Sequence, residues 1–256
     1  MHKTLLAVSA ALAVTSIPTV ALAQASPLSF NVSVTSDYRY RGISQTRLKP
    51  AIQGGVDYAL PAGFYVGAWA STIKWIEDAG GDAKIEIDLY GGYKGEITKD
   101  LSFDVGLLQY IYPGAKTAAW NAAYKDPNTT EAYGALTYGP ATVKASVALT
   151  DLFGNYDFAG GNSSKGSVYL EASAGLDVGA GITLTPRLGY QKVRNIANAS
   201  YTDFALTASK DFSGFLVSAG IVGTDANKSF YVPGFAANST KFLGKTGAVV
   251  SVKYSF

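Results

Sequence analysis

Residues 167–191 read SVYLEASAGLDVGAGITLTPRLGYQ, two alternating segments meeting around a short glycine-rich turn. In the first segment Val168, Leu170, Ala172, Ala174 and Leu176 share one parity, and Ser167, Tyr169, Glu171, Ser173 and Asp177 share the other. The second sets Ile182, Leu184, Pro186, Leu188 and Tyr190 against Thr183, Thr185, Arg187 and Gln191. Successive side chains of a strand point to opposite faces, so each segment predicts a β-strand with one apolar and one wet side. Gly179, Ala180 and Gly181 supply the turn between them. Such a hairpin suits a half-buried soluble sheet, or a strand pair that crosses a membrane around a watery interior.

The rest of the chain favours the membrane. The same period of two recurs near residues 28–41, 51–60, 64–76, 84–98, 101–112, 129–138, 142–153, 166–177, 182–193, 201–211, 215–224 and 246–256. These are about twelve segments of roughly ten residues, the length a tilted strand needs to cross a bilayer. One segment sets Ile85, Ile87 and Leu89 against Glu86 and Asp88, whereas FYVGAWASTIKWI, residues 64–76, allows two registers. Short turns at Pro61-Ala62-Gly63, Lys99-Asp100, Gly139-Pro140, Gly179-Ala180-Gly181 and Ser213-Gly214 alternate without exception with longer polar stretches. The long ones are SQTRLKP, EDAGGDA, PGAKTAAWNAAYKDPN, GNYDFAGGNSSK, RNIANAS and residues 225–245. Membrane barrels keep this rhythm, with short turns on one side and long loops on the other.

Composition fits the same picture. Mean hydropathy is only +0.12, as expected when apolar and polar residues alternate and cancel. Beyond the N-terminus no run of eighteen apolar residues occurs, which excludes helical membrane spans. MHKTLLAVSAALAVTSIPTVALAQA opens the chain with Lys3, an apolar run interrupted by Pro18, and small residues at Ala21 and Ala23. That pattern predicts a signal peptide over residues 1–23, cleaved before Gln24, and a barrel domain over residues 24–256. The sequence has no cysteine, so disulfides, thiolate metal sites and a lipidated N-terminal cysteine are all excluded. Net charge is near zero without single-sign blocks, so no nucleic-acid partner is expected. The one histidine, His2, lies in the signal segment. A barrel hydrolase using histidine as its base is therefore disfavoured, and Glu86 with Asp88, two apart on a strand, reads equally well as a solvated face. The expectation is a protein that is not an enzyme and has no catalytic, metal or cofactor residues.

In lipid each unsatisfied backbone group costs several kcal/mol, so strands must pair on both edges and the sheet must close. The fold expected is an all-β, closed antiparallel transmembrane β-barrel of about 12 strands. Its first strand should pair with the last, GAVVSVKYSF, where Ala248, Val250, Val252, Tyr254 and Phe256 form one face. Tyr254 and Phe256 look like the C-terminal assembly signal of bacterial outer-membrane barrels. Tyr38, Tyr40, Tyr58, Tyr65, Tyr110, Tyr112, Tyr138, Tyr190 and Tyr254 are expected to form interfacial girdles, although sheet packing alone also favours tyrosine.

The stretch SDYRYRGISQT, residues 36–46, puts Asp37, Arg39 and Arg41 on one parity and Tyr38 and Tyr40 on the other, then reaches Gly42. It predicts a strand end whose tyrosines face the outer interface and whose charges point inward. With the residues that follow, up to 71, it resembles the TorF-like porin family, conserved bacterial outer-membrane proteins of unknown function. Ser36, Asp37, Tyr38, Arg41, Gly42, Ser44, Gln45, Pro50, Gly63 and Tyr65 carry the resemblance. It implies an outer-membrane location and a channel, with no defined substrate and no catalytic residue.

Pore-lining candidates are Asp37, Arg39, Arg41, Asp57, Glu86, Asp88, Glu171, Arg187 and Lys253, with Lys94, Asp104 and Lys144 beside them. Both signs are present, which allows either a water-filled pore or a lumen closed by salt bridges. Gly55, Gly92 and Gly106 would leave inward gaps and favour the pore. Arg39 and Arg41 read either as an anion filter or as partners of nearby carboxylates that hold the first loop. The function expected is a porin-like channel for passive diffusion of small hydrophilic solutes or ions. The alternative is a structural or adhesive barrel with a plugged lumen, whose long loops bind partners or fold inward. Outer-membrane lipid, lipopolysaccharide and the barrel-assembly machinery are the other expected partners, after export through the periplasm to the bacterial outer membrane.

Overall fold

The computed structural model describes residues 26–232 and 241–256; the expected signal peptide lies outside them. Twelve antiparallel strands make the barrel: β1 Leu28–Thr35, β2 Ala51–Ala59, β3 Phe64–Thr72, β4 Ile85–Thr98, β5 Leu101–Ile111 and β6 Thr129–Tyr138, followed by β7 Ala141–Ala148, β8 Val168–Ala174, β9 Ile182–Lys192, β10 Tyr201–Phe212, β11 Phe215–Thr224 and β12 Gly247–Ser255. A short piece, Leu176–Asp177, extends β8 beyond Gly175 and pairs with β9. Each strand pairs with its sequence neighbours, and β1 closes the ring on β12 through Val32 opposite Tyr254 and Val34 opposite Val252. Phe30 and Phe256 seal the seam by exchanging backbone hydrogen bonds of 2.8 and 3.0 Å. No helix among the described residues is long and apolar enough to cross a membrane.

The alternation sorts the two surfaces. Val34, Ile52 and Leu188 face outward with 55%, 67% and 59% of their surface exposed, and they belong to a continuous apolar exterior. In water such a patch would be a large liability, whereas hydrocarbon is the solvent that accepts it. On the other parity Gln53, Ser71, Glu86, Asp88, Glu131 and Asp203 are buried inside the ring. The ambiguous third segment resolves with Phe64 and Val66 outward and Trp69 and Ser71 inward. The short turns use residues that accept a left-handed backbone: Ser213 and Gly214, at φ 57° and 94°, reverse the chain between β10 and β11.

Three expectations need correction. The first segment does not run on to residue 41. β1 stops at Thr35, and Arg39–Tyr40 pairs with Ile43–Ser44 in a small hairpin. Arg41 and Gly42, at φ 46° and 82°, make its two-residue turn, the geometry that matches strand twist. A side chain at position 42 would collide with Asp203 Cβ at 2.8 Å, so the turn is pressed against the wall. Second, the tyrosine girdle is only partly outward. Tyr58, Tyr138, Tyr190 and Tyr254 face out, while Tyr38, Tyr110 and Tyr112 are buried and Tyr40 and Tyr65 reach inner-wall partners.

Third, the inward glycines are not gaps: a Cβ at Gly55 would meet Asn31 Nδ2 at 3.0 Å and Trp69 Cδ1 at 3.2 Å. Gly92 sits opposite Tyr65, Gly106 opposite Tyr133 and Gly67 opposite Tyr90, each ring lying where a Cβ would otherwise be. Gly189 receives Tyr169 in the same way. Each glycine lets a phenol cross its strand and reach a group beyond it. Tyr90 crosses Gly67 to donate to Asp57 (2.6 Å), Tyr65 crosses Gly92 to donate to Asp104 (2.6 Å), and Tyr169 crosses Gly189 to donate to Asp203 (3.0 Å). The hydroxyls of Tyr65 and Tyr133 also meet. These rings thicken the inner wall from β3 to β9, whereas Thr207, Ser218, Gly220 and Ser251 keep the wall at β10–β12 thin.

Candidate functional site

The strand register turns charged side chains into the lumen, and the hairpin at residues 39–44 sits inside it. Ser36 ties the end of β1 to β12: its N–H donates to Val250 O (2.8 Å) and its Oγ accepts from Val250 N–H (2.9 Å). Asp37 then organises the hairpin base, its Oδ1 accepting from Ser44 Oγ (2.6 Å) and Thr46 Oγ1 (3.2 Å). Arg39 pairs with Asp37 and donates to the carbonyls of Gly42 and Lys245, both at 2.9 Å. Local carboxylate and carbonyls thus absorb this guanidinium.

The tip reaches the opposite walls. Tyr38 Oη donates to Glu86 (2.7 Å), a carboxylate that also accepts from Tyr112 Oη (3.0 Å). Tyr40 and Tyr110 share a hydroxyl contact of 3.1 Å with edge-on rings. Arg41 donates to Glu131 and to Gln191, both at 2.6 Å, and its guanidinium lies over the rings of Tyr169 and Tyr40 at 4.2 and 4.7 Å. Both parities of the hairpin are therefore buried, because it is surrounded by wall on all sides. Its residue pattern is that of an inserted hairpin whose tyrosines and arginines address different strands.

The other candidates all lie on inward positions. Glu171 and Arg187 pair at 3.1 Å on adjacent strands, and Arg187 also meets Asp203 at 2.8 Å. Asp57 is held by Tyr90, and Lys253 lines the lumen nearer the turn end. Asp88 is wholly buried, and neither of its oxygens has a hydrogen-bond partner among the described residues. Tyr254 and Phe256 stand outside, stacked at 5.7 Å beside the seam. The structure thus gathers Arg41 with Glu131, and Glu171 with Arg187 and Asp203, but leaves Asp57 and Lys253 apart from both groups. Glu131 and Asp203 escaped the sequence reading; their parity with Tyr133 and Tyr201 in clean alternating strands carried the signal.

Tyr40 stands in the wall of two cavities, one on each side of the hairpin. Below the hairpin is a space of about 230 Å³, lined by Lys144, Glu171, Arg187 and Lys253 among others. Above it, among the long loops, is a chamber of about 150 Å³ walled largely by aromatic rings. No group of metal-ligating side chains is present among the described residues.

The family model described as "Bacterial protein of unknown function (Gcw_chp)" matches residues 21–256. No curated protein matches the sequence. Among solved structures, the KdgM porin superposes with a TM-score of 0.52 at 9% identity, covering 90% of this chain and 98% of its own. A second KdgM structure, in complex with disordered oligogalacturonate, gives 0.51 at 9% identity over the same shares. The NanC porin gives 0.50 at 10% identity, again over 90% and 98%. At these identities the likeness establishes a shared porin-like barrel fold.

Proposed function

Since the chain belongs to the Gcw_chp family of bacterial proteins, whose description assigns no activity, we propose a function from the barrel itself: a narrow outer-membrane channel for passive diffusion of small hydrophilic solutes or ions. One observation carries this reading. An apolar exterior encloses a lumen whose inner wall is polar and charged, with a cavity of about 230 Å³ beneath the hairpin. Lipid outside and water inside is the division of solvents that such a surface stabilises. The TorF-like resemblance of residues 36–71 agrees with it. An N-terminal leader, removed before Gln24, delivers the chain to the periplasm, and assembly through Tyr254 and Phe256 places it in lipid and lipopolysaccharide. Mass spectrometry of the mature protein from outer-membrane fractions tests that route; an unprocessed chain in the soluble fraction refutes it.

The acidic oligosaccharide found with KdgM is not the solute we favour. The three lumenal guanidinium groups that would meet it, Arg39, Arg41 and Arg187, are engaged by Asp37, Glu131 and Glu171. Small neutral solutes and ions are the better match to a wall whose charges are largely self-neutralised. No residue is assigned to catalysis.

The inserted hairpin supports a second reading, a barrel kept shut at its loop end. Single-channel recording in planar bilayers separates the two. Discrete conductance steps from the wild-type protein support the open channel. A folded, silent barrel that conducts once the hairpin is removed supports the plug.

A further inference from the structure

The chamber above the hairpin is distinct from the lumenal cavity below it. Tyr40, Trp75, Tyr124, Phe153, Tyr201 and Tyr231 contribute rings to its wall. Phe153 is the hub: its ring meets Tyr40 at 5.3 Å, Trp75 at 6.0 Å and Tyr110 at 5.3 Å. It does so from a left-handed backbone, φ 52° and ψ 39°, a conformation costly for a bulky residue and found preferentially where a site clamps something.

The polar groups of the wall narrow the chemistry of an occupant. Ser44 donates to Asp37 and accepts from Leu48 N–H, Gln45 donates to Ile43 O, and Asn155 donates to Leu152 O. Gln191 accepts from Arg41 and donates to Val168 O and Lys192 O. Asp78, the one charged residue of the lining, is paired with Arg47. A sugar, which must exchange many hydrogen bonds with water for as many with protein, finds most of these donors engaged; the Trp75 indole N–H is a buried donor of the wall with no partner among the described residues. An ion finds no free counter-charge, and its desolvation would go uncompensated. Two phenol hydroxyls, those of Tyr124 and Tyr201, have no hydrogen-bond partner among the described residues. Burial pushes the Tyr124 hydroxyl up from its ordinary range, so it stays protonated and able to donate. An apolar cavity of about 150 Å³ is the size that admits one benzene ring.

We propose that this chamber is a binding site for a neutral, single-ring aromatic molecule carrying one hydrogen-bonding substituent, the phenol class, stacked among Trp75, Phe153 and Tyr231 with its polar atom toward Tyr201. The site does not depend on conduction through the lumen, so a silent barrel leaves it standing.

Phenol is the probe, with toluene, benzoate and glucose as comparators, and the protein is reconstituted in nanodiscs with its indole nitrogens labelled by ¹⁵N. Of the three tryptophans, Trp75 lines the chamber and Trp69 lines the lumen below. Phenol shifts the Trp75 resonance, identified by its loss in Trp75→Phe, along a saturable curve and leaves Trp69 in place. Tyr201→Phe weakens phenol about fivefold, the loss of one hydrogen bond, and leaves toluene unchanged. Val193→Trp fills the chamber and abolishes the phenol shift, while an unchanged Trp69 resonance verifies the fold. A linear, unsaturable response, which marks partition into lipid alone, overturns the proposal. So does phenol binding that survives Val193→Trp, or binding of benzoate or glucose as tight as that of phenol.

Discussion

The two ends of this barrel obey one alternation and fill differently. On β4 the inward residues near the long loops, Glu86 and Asp88, are 2% and 0% exposed, whereas Lys94 and Glu96 on the same parity near the short turn are exposed. Nothing in the strand accounts for the contrast, because the pleat is the same along its length. The cause is the chain between β1 and β2, which turns into the lumen and supplies Tyr38, Tyr40 and Arg41 as partners for one end only. Strand pattern sets which side chains point inward, and a loop decides which of them still meet water.

Removing the tip breaks the contrast most strongly. Replacing residues 38–45 with a short Gly-Ser link should open the loop end and raise single-channel conductance severalfold over the wild type, read in planar bilayers. Unpairing its anchor comes next. Glu131→Gln leaves Arg41 buried without its carboxylate, which costs about 3–5 kcal/mol, so thermal unfolding should move to clearly lower temperature. Arg41→Met combined with Glu131→Leu should recover most of that loss, since neither charge is then stranded.

A smaller effect sharpens the role of the rings. In Gly106→Ala the new methyl meets Tyr133 Oη at 2.5 Å and the carbonyl of Gly91 at 2.6 Å, and overpacking of this kind costs about 1–3 kcal/mol. Gly134→Ala on the neighbouring strand meets only Val105 Cγ1 at 3.7 Å and should be nearly silent in the same melting experiment. The smallest change is expected at the turn end. Lys253 makes no hydrogen bond or ion pair with the hairpin among the described residues, so Lys253→Glu should shift reversal potential toward cations in a salt gradient, leaving conductance and stability close to those of the wild type.

Much of the architecture is legible in the amino-acid sequence. Twelve segments, their alternation, the short turns and the pairing of LSFNVSVT with GAVVSVKYSF follow from period two and from the need to satisfy every backbone group in lipid. The burial of Glu86 and Asp88 inside the ring, and the lumenal position of Glu171 and Arg187, follow from the same parity. What stayed hidden involves a third dimension that parity lacks. Asp-Tyr-Arg-Tyr-Arg alternates whether it extends a strand or folds into a lumen, and only Gly42 and the left-handed Arg41 distinguish the two. Tyrosine at a girdle and tyrosine laid over a glycine are also the same letter. Tyr65 and Tyr58 both sit near a turn, yet one reaches Asp104 inside and the other faces out.

The rings laid across glycines have one more implication. Gly67 with Tyr90, and Gly106 with Tyr133, behave as lock and key in the inheritance of the molecule: enlarging the lock without trimming the key jams the sheet, and trimming the key alone leaves a hole beside Asp57 in the first pair. Descendants of this chain should gain or lose the two halves of each pair together, and lineages that shed both would carry a wider bore.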